Sequence, residues 1–333
     1  MKLLSNDEGA VHGYRARCSR LQASRDAVKQ HYPNLPNRIS CHNLLKCSPM
    51  TFLKIIVFAV VQGVCELLPV SSSAHVIVAE KLMGLDPTAP EMTLLLVMLH
   101  TGTMFAVIVY FWRSWRERYF VSSNTFWQFA KLVTVATAVT GVIGLALMLL
   151  IERVILRGSV HAEIEQLFGN AYVIAAGLAA VGIMIILSAR QQPDTSRRLG
   201  VGDSAWIGAV QGVCLPFRGF SRSGSTISTG LFLGLDKVRV EEFSFALAVV
   251  LTPAVILKEG YRLLKAHEGS LMVSSNLFSI AWPSLVGMVC SFVAGLVALR
   301  WLSRWLEHDR WHFFGYYCLV ASVAVLVVDQ FLR

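Results

Sequence analysis

Apolar residues along this chain gather into long runs separated by short polar joints. Six runs approach or reach the roughly 20 residues that a helix needs to cross a bilayer: 92–112, 129–151, 171–189, 243–257, 280–302 and 313–332. The run at 243–257 is the shortest, and Pro253 interrupts it. The first run carries His100 and Thr101, so it is not a plain lipid-facing helix. Two other apolar segments make poor spans. Segment 52–68 holds Lys54, Gln62 and Glu66 and stops at Pro69; segment 205–217 holds Gln211 and stops at Pro216. A serine-rich turn and a second short apolar stretch follow each. Two half-helices joined by a polar turn describe a re-entrant hairpin. Such backbone is tolerated at membrane depth only where it lines a protein or water cavity.

The two hairpin segments also resemble each other. Val61-Gln62-Gly63-Val64-Cys65 recurs as Val210-Gln211-Gly212-Val213-Cys214, and Gly84-Leu85-Asp86 recurs as Gly234-Leu235-Asp236. The offsets are 149 and 150, and each pair encloses a serine cluster, Ser71–Ser73 or Ser221–Ser223. Near-equal offsets around the same feature indicate a duplication. Loop charge then orients the copies. Arg113, Arg116 and Arg118, then Arg190, Arg197 and Arg198, then Arg300, Arg304 and Arg310 mark cytoplasmic ends. The first hairpin then enters from outside and the second from inside. The expected fold is all-α and membrane-integral: six full transmembrane helices plus two re-entrant half-helix hairpins in an inverted-topology repeat. Repeat one covers about 50–189 and repeat two about 203–333.

Composition agrees with this pattern. Of 333 residues, 55% are hydrophobic and only 15% charged, and mean hydropathy is +0.56. A soluble domain needs more charged surface. The net charge of +9 raises nucleic acid as a partner. However, residues 1–49 hold eight Lys/Arg against Asp7, Glu8 and Asp26, which leaves +5 there. The remaining charge sits mostly in short loops, where membrane topology explains it better. Residues 1–49 are polar, basic and lack the apolar core of a signal peptide. They read as a disordered basic tail or a mis-called start, with the chain proper beginning near Met50; an organelle transit segment is the alternative. The topology above puts residue 50 outside, which a basic tail opposes. The seven cysteines show no metal-binding spacing, and those in apolar segments read as small hydrophobes.

The chemistry concentrates in the two turns. Gln62 and Glu66 are four apart and share a helix face, and Ser71, Ser72, Ser73 and His75 follow Pro69. A carboxylate at membrane depth is functional by default; a buried Glu paired with a nearby Arg or Lys is the structural alternative. The serines could equally cap a helix, and His75 could be a satisfied structural histidine. The second turn reads Arg218-Gly219-Phe220-Ser221-Arg222-Ser223-Gly224-Ser225-Thr226. Guanidinium, hydroxyls, glycines and a helix start together make an anion site; alternatively, Arg222 is a topology charge. A carboxylate, an imidazole, hydroxyls and an anion clamp suit phosphoryl transfer, which needs charge neutralisation and alignment above all.

The chain resembles the undecaprenyl-diphosphate phosphatases of bacitracin resistance, from Met50 to the C-terminus. Their first signature, (E/Q)xxxE followed by PVSSxxH, is met by Gln62, Glu66, Pro69-Val70-Ser71-Ser72 and His75. Their second, PGxSRSxxT, is met by Gly219, Ser221-Arg222-Ser223 and Thr226. Arg218 replaces the family proline and adds a second charge. Gln62 leaves Glu66 as the lone carboxylate of that pair. The resemblance implies hydrolysis of undecaprenyl diphosphate to the monophosphate carrier at the outer face of the bacterial inner membrane. The expected roles follow. Arg222 clamps the diphosphate with Ser221, Ser223 and Thr226, while Arg218, Gln62 and Ser71 contact substrate. Glu66 binds Mg²⁺ or Ca²⁺ or acts as general base. Ser72 is a candidate nucleophile and His75 the acid for the leaving group, or an activator of Ser72. Direct water attack is the alternative to a phosphoserine. The partners implied are the lipid substrate and the bilayer, with a homodimer left open. A transporter that flips the lipid monophosphate is the rival reading. The other large membrane phosphatase class needs SRxxxxxH, and Ser228 stands where its histidine belongs.

Overall fold

The structure is a computed structural model describing residues 52–85, 90–155, 170–192, 194, 196–267 and 277–332. The tail assigned to residues 1–49 lies outside the described residues. Every regular element described is helical. In chain order these are α1 (Phe52–Leu67), α2 (Ser72–Met83), α3 (Pro90–Arg118), α4 (Ser123–Leu150, ending in a π-turn at Ile151–Ile155), α5 (Ala171–Ser188), α6 (Val201–Cys214), α7 (Arg222–Phe232), α8 (Lys237–His267), α9 (Leu277–Glu307) and α10 (His312–Leu332).

Six of them contain a stretch long and apolar enough to cross a membrane: Met92–Arg118, Ser123–Arg153, Ala171–Ser188, Lys237–Leu257, Trp282–Glu307 and His312–Phe331. They fall on the six apolar runs. The structure differs at Pro253, which does not end α8 but lies inside it. The ring removes one amide donor, and the Thr252 hydroxyl, one residue before it, donates to the Ala248 carbonyl at 2.7 Å. The other four helices are short. At 1.5 Å per residue, α1 is roughly 24 Å long and α7 roughly 17 Å, less than the apolar thickness of a bilayer.

Packing joins the two halves of the chain. α1 packs on α9 and α6 on α4; α2 touches α10 and α7 touches α5; α3 packs on α9 and α8 on α4. Exchanging α1–α5 for α6–α10 maps each of these contacts onto its partner. Close approach of backbones underlies them. A Cβ on Gly208 would run into the Ala136 backbone, and one on Gly212 would stand 2.9 Å from the Thr140 carbonyl. Small residues one turn apart thus seat α6 against α4, the ordinary way helices associate in lipid.

Two buried carboxylates inside this bundle are paired. Glu242 on α8 is fully buried. It accepts from Arg118 Nη1 and the Tyr119 hydroxyl, both at 3.0 Å, and from the Ser114 hydroxyl. Glu241 accepts from Ser303 at 2.6 Å, and Ser303 accepts from Tyr110 at 2.9 Å. These bonds fasten α3, α8 and α9 at one end. Burying carboxylates this way is tolerable because donors surround them.

Gly208→Val is expected to destabilise the protein by roughly 1–3 kcal/mol through overpacking, whereas Gly141→Ala, where a Cβ meets open space, is neutral. Thermal stability in detergent checks this. Equal behaviour of the two variants would show that the α4–α6 contact is not tight.

Candidate active site

The turn after α1 is held from three sides. Val70 N–H closes on the Leu68 carbonyl at 2.8 Å. Ser223 of α7 donates to that same carbonyl at 3.2 Å, and Cys318 of α10 donates to the Pro69 carbonyl at 3.3 Å. Ser71, at the N-cap of α2, has φ +67° and makes no capping bond with its side chain. A non-glycine residue in that region is strained and persists only where its surroundings fix it. His75 does so, since its Nδ1 donates to the Ser71 carbonyl at 2.8 Å.

The turn before α7 is built differently. Gly219 has φ +95°, and a side chain there would run into the Ile174 carbonyl of α5; only glycine satisfies both constraints. Across the contact, a Cβ on Gly177 would stand 2.7 Å from Phe220 N. Ser221 caps α7 by accepting from Gly224 N–H at 3.3 Å. Capping therefore describes Ser221 but not Ser71.

Both turns open on one cavity of about 290 Å³. Glu66, Ser71, Ser72 and Ser73 line it from the first turn, and Arg218, Ser221, Arg222 and Ser223 from the second. The N-termini of α2 and α7 thus meet there, and their free N–H groups favour an anion. Glu66 and Arg222 face each other across it, with Nη2 at 3.2 Å from Oε1 and side-chain exposures of 16% and 22%. Ser72 donates to Glu66 Oε2 at 2.6 Å. Arg222 Nη1 is buried and has no hydrogen-bond partner. A guanidinium closed into a structural pair would be satisfied on both forks. Here one fork is bound and the other is a buried, unmatched donor of a residue on the cavity wall.

Other expected site residues sit elsewhere. His75 does not line the cavity. Its Nε2 accepts from the Tyr317 hydroxyl of α10 at 2.6 Å, so both ring nitrogens are occupied and the imidazole supports the turn. Thr226 is fully buried. It donates to its own helix at the Arg222 carbonyl, 2.8 Å away, and lies 2.6 Å from the Ser244 hydroxyl. Gln62 is buried behind Glu66 and donates to it at 3.2 Å. Two groups that the motifs do not flag do line the cavity, His100 of α3 and Gln211 of α6. Gln211 donates to Thr140 at 3.0 Å, and its Oε1 is buried and unpartnered. Its signal was present in the sequence, because Gln211 is the repeat partner of Gln62.

Among the described residues no cluster of three His, Cys, Asp or Glu could cage a metal. Glu66 is the one carboxylate on the cavity wall. That donor set fits a hard cation held by one carboxylate, water and the phosphates of a ligand, the usual manner of Mg²⁺. The remaining wall is mostly apolar, with Leu215, Phe217, Phe220, Ala248, Leu251 and Val255 beside Cys65, Cys214 and Thr252.

Comparison with known proteins gives one consistent result. The family profile of "Bacitracin resistance protein BacA" matches residues 55–324. "Undecaprenyl-diphosphatase 2" of Acinetobacter baylyi is 59% identical over 280 residues, covering 84% of this chain and 98% of the relative. Two proteins named "Undecaprenyl-diphosphatase" are each 30% identical. One, from Rhodopirellula baltica, aligns over 83% of this chain and 98% of its own length; the other, from Christiangramia forsetii, over 84% and 98%.

Proposed function

The chain belongs to the bacitracin resistance protein BacA family, a multi-pass membrane protein, and from that premise we propose that it hydrolyses undecaprenyl diphosphate to undecaprenyl phosphate and inorganic phosphate. This recycles the lipid carrier of cell-wall synthesis and confers bacitracin resistance. The observation that carries the reading is one cavity lined by Arg222, whose Nη1 is unmatched, and by Glu66 with Ser72 hydrogen-bonded to it. The names of the relatives are those of hydrolases, which favours hydrolysis over transport of the carrier.

The terminal phosphate sits between the N-termini of α2 and α7. Arg222 holds it through the free fork, with Arg218, Ser221 and Ser223 as further donors. Ser72 Oγ attacks the terminal phosphorus and passes its proton to Glu66. The bridging P–O bond breaks, and the polyprenyl monophosphate leaves. Water then hydrolyses the serine phosphoester. The 2.6 Å hydrogen bond from Ser72 to Glu66 supports this covalent order, because a positioned base is what makes a hydroxyl a nucleophile. Glu66 would hold Mg²⁺ or Ca²⁺, which would neutralise phosphate charge. The apolar wall at Phe217, Leu251 and Val255 suits the first isoprene units.

The same reading extends to the membrane. The four short helices form two re-entrant hairpins of an inverted-topology repeat, supported by the exchange of contacts between the halves. The cavity opens toward the outer face of the bacterial inner membrane, in keeping with the arginines that follow α3, α5 and α9.

Phosphate release from undecaprenyl diphosphate by the purified protein in detergent tests the assignment, and a protein that releases none is not this enzyme. Arg222→Ala is expected to lower kcat/KM by roughly 10³-fold or more, and Arg222→Lys by less, because charge returns without the fork. Full Arg222→Ala activity would remove the clamp. Ser72→Ala is expected to abolish turnover, and acid quench of the wild type traps phosphate on Ser72; a Ser72→Ala protein that keeps most activity leaves direct water attack. Chelation is expected to reduce the rate at least about tenfold, restored by Mg²⁺ or Ca²⁺. Activity untouched by full chelation takes the cation out of the reaction.

A further inference from the structure

The cavity wall carries two guanidiniums, and the reaction proposed above specifies the task of only one. Arg222 is the first residue of α7, stands between Ser221 and Ser223, and meets Glu66 at 3.2 Å. Arg218 lies four residues earlier, between Phe217 and the Gly219-Phe220 pair. Both phenylalanines belong to the apolar part of the wall. The two cations also stand beside different acids. Arg222 is bonded to Glu66, whereas Glu80 of α2 lies within electrostatic reach of Arg218. Arg218 thus sits in the turn where the polar end of the cavity gives way to the apolar end.

The turn itself does not require this side chain. Phe220 N–H closes on the Phe217 carbonyl at 3.2 Å, and Gly219, the third of the four residues, has φ +95°. Turns with a positive φ at the third position favour proline at the second, because its fixed φ suits that place. The second position here is Arg218. The backbone around it is fixed by close approach to α5, since a Cβ on Gly177 would stand 2.9 Å from the Arg218 carbonyl oxygen and 2.7 Å from Phe220 N. The proline of the family signature is therefore the residue the backbone favours. An arginine gives up that rigidity, and what it adds is a cation on the cavity wall.

We infer that Arg218 binds the inner, lipid-side phosphate of the substrate, so that it selects a diphosphate and stabilises the leaving group. The terminal phosphate, between Arg222 and Ser72, is the one attacked. The inner phosphate bears the prenyl chain and lies toward the apolar wall, beside Arg218. As Ser72 Oγ bonds to the terminal phosphorus, the bond from that phosphorus to the bridging oxygen breaks. The oxygen keeps the electron pair and leaves as part of the lipid monophosphate, while the Ser72 proton passes to Glu66. The inner phosphate goes from one negative charge to two. A guanidinium on it therefore binds the transition state and the leaving monophosphate more tightly than the ground state. The same charge develops if water attacks the diphosphate directly. The inference rests on the hydrolytic reading and gives Arg218, a general donor there, a subsite of its own.

Phosphate release by the wild type, Arg218→Gln and Arg218→Pro, with undecaprenyl phosphate or inorganic phosphate added as inhibitor, tests it. The lipid monophosphate reports on the inner subsite and inorganic phosphate on the terminal one. Both variants are expected to weaken inhibition by undecaprenyl phosphate roughly tenfold or more and to lower kcat roughly tenfold or more, with inhibition by inorganic phosphate kept within about threefold. Arg218→Lys is expected to recover part of each loss. Inhibition by undecaprenyl phosphate that stays within about threefold of the wild type, or inhibition by inorganic phosphate that weakens as much, would overturn the inference. If Arg218→Pro fails to give a monodisperse peak in detergent, the inhibition constants of Arg218→Gln decide. A wild type that releases no phosphate would instead defeat the hydrolytic reading on which the subsite stands, so the two failures are told apart.

Discussion

One charge pair organises this molecule. Glu66 and Arg222 are 156 residues apart and meet at 3.2 Å, each on a short helix flanked by apolar runs. Taking either ion to membrane depth alone is costly. Together they lower that penalty, but only if both turns reach the same place. The rest of the architecture secures that meeting. Ser223 ties α7 to the Leu68 carbonyl, Cys318 ties α10 to Pro69, and Gly219 lets its turn rest on the Ile174 carbonyl of α5. An ion pair made only for stability would have been closed and fully bonded. This one is kept half open by a scaffold rigid enough to leave Arg222 Nη1 without a partner.

The duplication makes such a site reachable. Exchanging the halves preserves the packing pattern, so α1 and α6 enter the bundle in equivalent surroundings. The side chains at equivalent positions then diverge. The first turn supplies a carboxylate and the second supplies guanidiniums. Both copies bend the backbone into the positive-φ region, the first with Ser71 held by His75 and the second with Gly219 held by steric contact. Gln62 and Gln211 occupy matching sites, yet Gln62 spends its amide on Glu66 and His100 while Gln211 leaves Oε1 unpartnered. Equal scaffolding with opposite charge gives two faces of one cavity.

Much of this was legible in the chain. The six spans follow from apolar run length, and the turns follow from proline, serine and the repeat. Glu66, Ser72 and Arg222 stand out because polar groups in apolar surroundings need a reason. What sequence could not give was side-chain direction. His75 is three residues beyond Ser72 on α2, near enough to share its face, yet Ser71 and Tyr317 take both its nitrogens. Thr226 lies one turn beyond Arg222, but α8 passes over it and Ser244 meets it there. His100 was visible only as a polar interruption within an apolar run. Its importance depends on α3 packing against α1, a contact that no local pattern records. Pro253 misled for a related reason, since its effect on α8 depended on how the neighbouring turn was satisfied.

The same logic explains the division of labour between the two histidines. An imidazole is useful as a base only when one nitrogen is anchored and the other is free. Each ring is anchored through Nδ1 to the carbonyl four residues before it, a geometry any helical histidine can adopt. What differs is the group facing Nε2. Tyr317 binds it in one case, joining the strained Ser71 turn to α10. In the other, Gln62 offers a longer N–H contact. A glutamine serves this better than a second carboxylate would. It can donate to Glu66 and to Nε2 at once, which a glutamate carboxylate cannot. The departure at position 62 that removes a cation ligand is thus the feature that links Glu66 to His100.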